Sequence, residues 1–349
     1  MPVFTTSTSV APRQELAMAI VEGENSVKNV IGEQILPPFP INKRTAHIIK
    51  ATLANTQALR VIDDAKFIRA PGTKYERMTA TFGDDTLSVV LRGQEIVVPN
   101  EVSLDYAGYL DIESFYATRF GAETSVLTKE KLIAAQIFNT GNFSATNSTV
   151  AYTAANLPTI SFIGDVIAAV RRVKAAGEIP DTVAMSGAVF ERVRQSATVI
   201  SWAAGTLKAG QEAPRGTIEA SLKEFGITQL LVGDSYYNNA ADQATPSLSP
   251  IWSNTYIWVG KSGKANVASA TGGVGVPTLS GLGANVYWEG YNAGGTPSTD
   301  LDSQTFDGGN YVESYPDLSI DSMIVRVKMS ARPYLGNTRC GTLIATQYS

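Results

Sequence analysis

The sequence Val183-Ala-Met-Ser-Gly-Ala-Val-Phe-Glu-Arg-Val193 passes from a strand pattern to a helix pattern within a few residues. Residues 181–185 form a short apolar run that is typical of a buried strand. Ser186 is a favoured helix N-cap residue, and apolar side chains then recur at helical spacing, at Val189, Phe190 and Val193. The stretch therefore predicts a strand, a capped turn and a helix.

The segments on either side continue this alternation of helix and strand. Residues 161–176 predict a helix with a complete apolar face, made by Ile163, Val166, Ile167, Val170 and Val173. A third helix is predicted at 217–225 and a buried strand at 227–232. Because the connections are short, the alternation predicts one compact α/β domain.

The turn at Ser186 also resembles the nucleophile elbow of serine hydrolases. That elbow has glycine two residues before and two residues after the serine, whereas this chain has Ala184 and Ala188 there. The single histidine, His47, comes far before the serine, although the order of the triad places histidine after it. We interpret Ser186 as a helix cap, with a serine hydrolase at Ser186 as an alternative.

Composition excludes several kinds of site. Histidine and cysteine occur once each in 349 residues, so zinc sites of the Cys/His type and internal disulfides cannot form. No acidic segment has the spacing of a calcium loop. We therefore predict no enzyme, no catalytic residues, no metal and no cofactor. No apolar run approaches the roughly 18 residues of a membrane span, so no membrane partner is expected either.

Charge is sparse along the chain. Lys and Arg number 28 and Asp and Glu number 32, which gives a net charge of −4, and charged residues make up 17% of the sequence. An average soluble protein has about 25%. The low content indicates that much of the surface faces other protein. The slight acidity argues against a dedicated nucleic-acid binder, because basic patches supply that affinity.

The N-terminal part has little core of its own. Residues 1–43 predict an extended arm, because three of the four residues 37–40 are proline. This arm is either a leader that crosses its own domain or a segment that reaches a neighbouring chain. Residues 44–99 predict a long β-hairpin, which is marginal alone in water and has to pack on something else. The charged residues of this hairpin are Arg69, Lys74, Glu76, Arg77, Asp84, Asp85, Arg92 and Glu95.

Two further segments complete the pattern. Residues 111–138 predict one long helix, which at about 28 residues is a rod of roughly 40 Å. Residues 311–347 return to strands. In 323–329 the apolar side chains of Met323, Val325 and Val327 share one face of the strand.

The order of these segments resembles that of tailed-bacteriophage major capsid proteins with the Hong Kong 97-like fold. The resemblance covers nearly everything after the first thirty or so residues. Residues 30–43 resemble the N-terminal arm, 68–73 the extended loop, 111–138 the spine helix, 183–193 the strand–cap–helix unit of the axial domain and 311–346 the closing strands.

The resemblance implies an α+β fold and a structural function. Its parts would be an N-terminal arm (1–43), an extended β-hairpin loop (44–99), a peripheral domain with the spine helix (100–160), a compact axial α/β domain (161–310) and closing strands of the peripheral domain (311–349). Subunits of the family form hexamers and pentamers that close an icosahedral shell around double-stranded DNA. The extended loop would lie over a neighbouring subunit, and the charged residues named above would pair across subunits.

The resemblance also implies partners. Some family members begin with a charged helical scaffolding segment, which residues 1–43 lack, so we expect either a separate scaffolding protein or a chain from which such a segment has already been removed. A portal and a cement protein are further expected partners, and DNA would be enclosed without sequence-specific binding. The expected location is the virion, after assembly in the host cytoplasm. The alternative within the same class is another phage structural protein, such as a tail-tube or decoration subunit.

Overall fold

The computed structural model describes residues 29–41, 43–50, 71–72, 74, 83–105, 111–116, 124–204, 212–240, 245–266, 278–288, 304–306 and 310–349. Within these ranges the chain forms a five-stranded sheet, a six-stranded sheet and three two-stranded sheets. None of the helices in these ranges is long and apolar enough to cross a membrane.

The strands are β1 (Pro38–Ile41), β2 (Thr45–Lys50), β3 (Gly83–Ser88), β4 (Leu91–Pro99), β5 (Ala145–Asn147), β6 (Thr182–Ser186), β7 (Gln229–Gly233), β8 (Tyr236–Asn238), β9 (Leu248–Pro250), β10 (Tyr256–Gly260), β11 (Lys264–Asn266), β12 (Thr278–Ser280), β13 (Gly283–Trp288), β14 (Gln304–Phe306), β15 (Asn310–Asp317), β16 (Ser322–Leu335) and β17 (Gly341–Ala345). The helices are α1 (Gly32–Ile35), α2 (Asn100–Asp105), α3 (Ile112–Tyr116), α4 (Thr124–Ile137), α5 (Phe162–Ala175), α6 (Gly187–Gln195), α7 (Ala197–Ala204) and α8 (Arg215–Lys223). Short 3-10 turns lie at Ala154–Asn156 and Thr338–Cys340.

The five-stranded sheet has the order β5-β17-β10-β6-β7 and is buried on both faces. Strand residues alternate between the faces, so Val183 and Met185 pack against α5 to α8, whereas Ala184 packs on the other side. That other side is covered by α1 and α4. Two separate apolar clusters therefore hold one sheet between two layers of helices.

The predicted α/β alternation is confirmed in this region. The helix predicted at 161–176 is α5, the helix predicted at 217–225 corresponds to α8, and the strand predicted at 227–232 corresponds to β7. Ser186 caps α6, since its Oγ accepts a hydrogen bond from the backbone N–H of Val189 at 3.4 Å.

The six-stranded sheet is built around β16. Its order is β1-β13-β16-β15-β14, and β4 also pairs with β16. β4 and β15 both pair with residues 322–329, and β13 pairs with residues 331–335. β1 lies at the edge of this sheet. Proline has no backbone N–H to donate, so Pro38 and Pro40 are tolerated in an edge strand. Residues 29–41 of the predicted arm therefore cross their own chain, as the leader alternative states, and residues 1–28 lie outside the described residues.

The segment predicted as one hairpin divides between two sheets. β2 and β3 pair with each other in antiparallel fashion. Residues 51–70 and 75–82 lie outside the described residues. β4 does not join this hairpin but pairs with β16, because Val98 is buried against Val325 and Val327. The assignment of 91–99 to the hairpin was therefore wrong.

The remaining predicted segments are placed as follows. The long helix predicted at 111–138 contains α3 and α4, and residues 117–123 between them lie outside the described residues. β15 and β16 of the predicted closing strands lie in the six-stranded sheet. The last strand, β17, instead lies in the five-stranded sheet, where Leu343 and Ile344 are buried on opposite faces. The closing segment thus joins the two sheets.

Candidate functional site

The first candidate site is the group of charged residues predicted to contact a neighbouring subunit. Arg69, Glu76 and Arg77 lie outside the described residues. Lys74 is exposed. The other four, Asp84, Asp85, Arg92 and Glu95, lie on β3 and β4 and contact partners inside their own chain.

Two of these four residues lie on the hairpin strand β3. The Oδ2 atom of Asp84 lies 3.3 Å from Nδ1 of His47, and both side chains are well exposed. The Oδ2 atom of Asp85 accepts a hydrogen bond from the hydroxyl of Tyr334 at 3.1 Å. Asp85 therefore fastens the hairpin to β16, and Asp84 is the more accessible of the two.

The two residues on β4 connect it to the strand beside it. Nη1 of Arg92 donates to the carbonyl oxygen of Ala331 at 2.9 Å. Glu95 accepts from Nε of Arg326 at 2.5 Å, and Nη2 of Arg326 donates to the hydroxyl of Tyr315 at 2.5 Å. Arg92 and Glu95 thus hold the six-stranded sheet together within one chain.

A second surface lies where β4 ends, and the sequence did not single it out. α2 follows β4 there and lies beside the turn from β15 to β16, since Asn100 donates to Asp321 through its backbone N–H at 3.2 Å and its side-chain amide at 2.7 Å. We call residues 97–105 and 317–321 the acidic sheet end.

The acidic sheet end combines exposed aliphatic side chains with one sign of charge. Leu318 is 89% exposed and Leu104 is 74% exposed, and Val97, Val102 and Ile320 are also exposed. Its carboxylates are Glu101, Asp105, Asp317 and Asp321, and neither stretch contains Lys or Arg. Apolar surface rimmed by charge is typical of a protein interface.

The opposite end of β4 carries the other sign of charge. The N–H of Val89 donates to the carbonyl oxygen of Arg44, and Nη1 of Arg332 donates to the carbonyl oxygen of Ser88, both at 2.9 Å. Lys43, Arg44 and Arg332 are exposed here, and so is Val90. We call Lys43, Arg44, Val90, Arg92 and Arg332 the basic sheet end.

Glu130 is a buried charged residue that sequence reasoning also missed. Its carboxylate on α4 accepts hydrogen bonds from the backbone N–H groups of Ile31 (2.8 Å) and Gly32 (2.7 Å) and from Nε1 of Trp252 (2.6 Å). Burial raises the pKa of Glu130, against the opposing effect of these donors. A Cβ on Gly32 would lie 2.4 Å from a carboxylate oxygen of Glu130, so a larger residue there would displace this side chain. In the sequence, the one signal for this buried carboxylate is the charged pair Lys129 and Glu130 within the predicted helix.

The geometry does not support a nucleophilic site. Oγ of Ser186 donates to Oδ1 of Asn254 at 2.7 Å, while His47, the single histidine, lies on β2 in a different sheet. The single thiol, Cys340, is buried, and burial raises its pKa to about 12. Within the described ranges, no group of three or more His, Cys, Asp or Glu residues could hold a metal ion.

Comparisons with known proteins bear on the fold. No protein-family model matches the chain, and no curated protein matches its sequence. Among solved structures, a phage-related protein from Bordetella bronchiseptica RB50 is similar, with a TM-score of 0.60 at 18% identity over 91% of this chain and 92% of that one. The capsid protein of cyanophage P-SCSP1u gives a TM-score of 0.51 at 11% identity over 89% of this chain and 85% of that one.

A third similar structure is an encapsulin. The SrpI encapsulin of Synechococcus elongatus PCC 7942 gives a TM-score of 0.50 at 10% identity over 95% of this chain and 93% of that one. At these identities the likenesses show the fold. The resemblance to phage capsid proteins is therefore confirmed as a mixed α and β fold shared over most of the chain.

Proposed function

We propose that the chain is the major capsid protein of a tailed bacteriophage, whose copies form the hexamers and pentamers of an icosahedral head around double-stranded DNA. The observation that carries the proposal is the fold shared with a phage-related protein and a cyanophage capsid protein over about nine-tenths of the chain. The protein would act by assembly and would not be an enzyme.

The proposal assigns the parts of the family's fold to the elements described above. The five-stranded sheet with α5 to α8 would be the axial domain, and the six-stranded sheet with α3 and α4 the peripheral domain. α4 would be the C-terminal part of the spine helix. β2 and β3 would be the root of the extended loop, and the preceding segment would be the N-terminal arm.

Cohesion between copies would come from apolar burial with charges that fix the register. Exposed ion pairs contribute only about 0–1 kcal/mol each, so the hairpin charges alone would not hold a shell. The exposed aliphatic side chains of the acidic sheet end offer apolar area for such a contact. Lys74, and Arg69, Glu76 and Arg77 beside it in sequence, remain the proposed contacts of the extended loop.

The proposal includes the partners that the family implies. These are a separate scaffolding protein, a portal and a cement protein, and DNA that is enclosed without sequence-specific contacts. The protein would be located in the virion after assembly in the host cytoplasm.

A second candidate is a shell that encloses protein cargo, and the likeness to the SrpI encapsulin supports it. Both candidate functions predict closed shells, so the contents of the particles distinguish between them. Nuclease-protected double-stranded DNA inside particles from infected or induced cells favours the phage head, whereas particles that hold protein cargo and no DNA favour the compartment. Tubes or rings would favour the tail subunit instead.

Removal of the hairpin beyond its root tests the role of the extended loop. Lys50 pairs with Gly83, so residues 51–82 can be replaced by an Asn-Gly turn that closes a two-residue hairpin. We expect a folded protein with an unchanged thermal transition that forms no shells by electron microscopy. A matched control inserts Gly-Ser into 241–244, between β8 and β9, and should leave assembly intact. Normal shells from the shortened chain would contradict the assignment of this loop.

A further inference from the structure

We infer that neighbouring copies of this chain meet head to tail, with the acidic sheet end of one copy against the basic sheet end of the next. The inference rests on the proposed function, because it names the surfaces through which the shell subunits touch. The occupant of the acidic sheet end is thus a second copy of this chain.

The two surfaces lie at opposite ends of the same strand. β4 begins at Leu91, beside the basic sheet end, and stops at Pro99, where the acidic sheet end begins. Nine residues of strand separate the two ends by roughly 27 Å. One sheet therefore presents the acidic sheet end and the basic sheet end in opposite directions.

Charge decides between a like-to-like contact and a head-to-tail contact. If two acidic sheet ends met, the carboxylates of Glu101, Asp105, Asp317 and Asp321 would face an identical set, and neither stretch has a basic residue to balance them. Like charges brought together at an interface are unfavourable. The basic sheet end offers the exposed residues Lys43, Arg44 and Arg332 instead, so opposite charges would meet in a head-to-tail contact.

Apolar side chains on both ends allow the contact to bury area as well. Val90 of the basic sheet end is 45% exposed, and Leu104 and Leu318 of the acidic sheet end are also exposed. Apolar burial would supply cohesion, while the opposite charges would steer encounter and fix the register. A head-to-tail contact uses two different surfaces, so repetition closes a ring when the rotation between copies allows it. Rings of this kind are the capsomers of the proposed shell.

A cross-linking experiment distinguishes the two arrangements. Shells are assembled from the double variant Val90→Cys/Leu104→Cys and from each single variant, and are treated with a short bis-maleimide. The native thiol, Cys340, is buried and stays unmodified in the folded protein. The separation of the two ends prevents a cross-link within one copy. We expect the double variant to give a ladder beyond the dimer on a denaturing gel, and each single variant to stay monomeric.

Two results would overturn the inference. One is efficient dimer formation by the Leu104→Cys single variant, which shows a like-to-like contact. The other is the absence of a ladder from intact shells of the double variant. Both results leave the proposed function standing, because shells were present. If the unmodified chain forms no shells under any assembly condition, the proposed function fails first.

Charge reversal gives an independent readout. Glu101→Lys/Asp105→Lys and Lys43→Glu/Arg44→Glu should each reduce shell yield at least tenfold, whereas the combination of all four should restore it by returning opposite charges to the contact. Lys223→Glu and Glu224→Lys, at the end of α8, are matched controls at exposed positions. If the fourfold variant assembles no better than its parents, the pairing of these two ends is wrong.

Discussion

Glu130 joins the segment before β1 to the body of the protein. One carboxylate accepts hydrogen bonds from two backbone N–H groups that lie 98 and 99 residues earlier in the chain and from one indole N–H that lies 122 residues later. Beside it, Nζ of Lys129 lies 2.8 Å from a carboxylate oxygen of Glu33, and the lysine side chain is only 4% exposed. Two charged residues of α4 thus fix the same short helix, α1.

Truncation of this carboxylate should be costly. Glu130→Ala leaves three buried donors without a partner, and each unsatisfied buried polar group costs about 1–3 kcal/mol. With three such donors, we expect a loss of at least about 3 kcal/mol in the free energy of unfolding, measured by urea denaturation. Glu219→Ala is a matched control, because Glu219 forms an exposed pair with Arg215 one helical turn away. The control should change stability by less than about 0.5 kcal/mol, and equal effects of both variants would contradict this role of Glu130.

The contribution of Glu130 should also depend on pH. Burial raises the pKa of Glu130 in the folded chain above its ordinary value of 4.5, so the folded state binds the proton more tightly than the unfolded state. This contribution to stability is fully present below about pH 4.5 and decreases as pH rises through the raised pKa. The stability difference between the unmodified chain and Glu130→Ala should therefore narrow with rising pH. A difference that widens instead would show that the donors dominate over burial.

Residues whose role is local could be predicted, and those with distant partners could not. Ser186 was identified as a cap because its donor, the N–H of Val189, lies within the next helical turn. Glu130 looked like an ordinary helical glutamate, since Trp252 and Ile31 come near it only in the folded chain.

At the scale of single elements, the two buried tryptophans lie against glycines. A Cβ on Gly341 would lie 2.4 Å from Nε1 of Trp258, and a Cβ on Gly233 would lie 2.2 Å from the ring of Trp252. Gly341 has φ −147°, which is ordinary extended backbone, so only the side-chain clash demands glycine. On the paired strands β10 and β17, the absence of a side chain at Gly341 thus leaves space for the indole of Trp258.

Gly341→Ala should therefore destabilise the five-stranded sheet. Overpacking of this kind costs about 1–3 kcal/mol, which calorimetry would detect as a lower melting temperature. Gly216→Ala on α8 is the matched control, because no atom lies within 4 Å of the added Cβ. Since alanine favours a helix over glycine by about 1 kcal/mol, this control should be neutral or stabilising. A neutral Gly341→Ala would show that Trp258 can move aside.

Strand existence was easier to predict than strand pairing. The alternation of 323–329 correctly indicated a strand, β16, with Val325 and Val327 on the buried face. The partner of β4 was assigned by proximity in sequence to the hairpin. Its true partner, β16, is more than 200 residues away and is selected by burial of Val98 and Ile96. Short-range periodicity holds no information on such a pairing.

At the scale of the whole molecule, the net charge of −4 does not show that one sheet carries an acidic end and a basic end. The order of segments was sufficient to indicate a capsid-type fold, which the similar structures confirm. The two surfaces proposed for assembly could not be found the same way, because each is formed by segments that are distant in sequence.

Electron microscopy of the purified full-length chain, assembled with a scaffolding partner or recovered from particles, tests the central claim most directly. The account predicts closed shells, tens of nanometres across, in which hexamers and pentamers are arranged with icosahedral symmetry. In a reconstruction, the acidic sheet end of each subunit should contact the basic sheet end of the next. Open tubes, isolated rings or a protein that stays monomeric under all assembly conditions would contradict it.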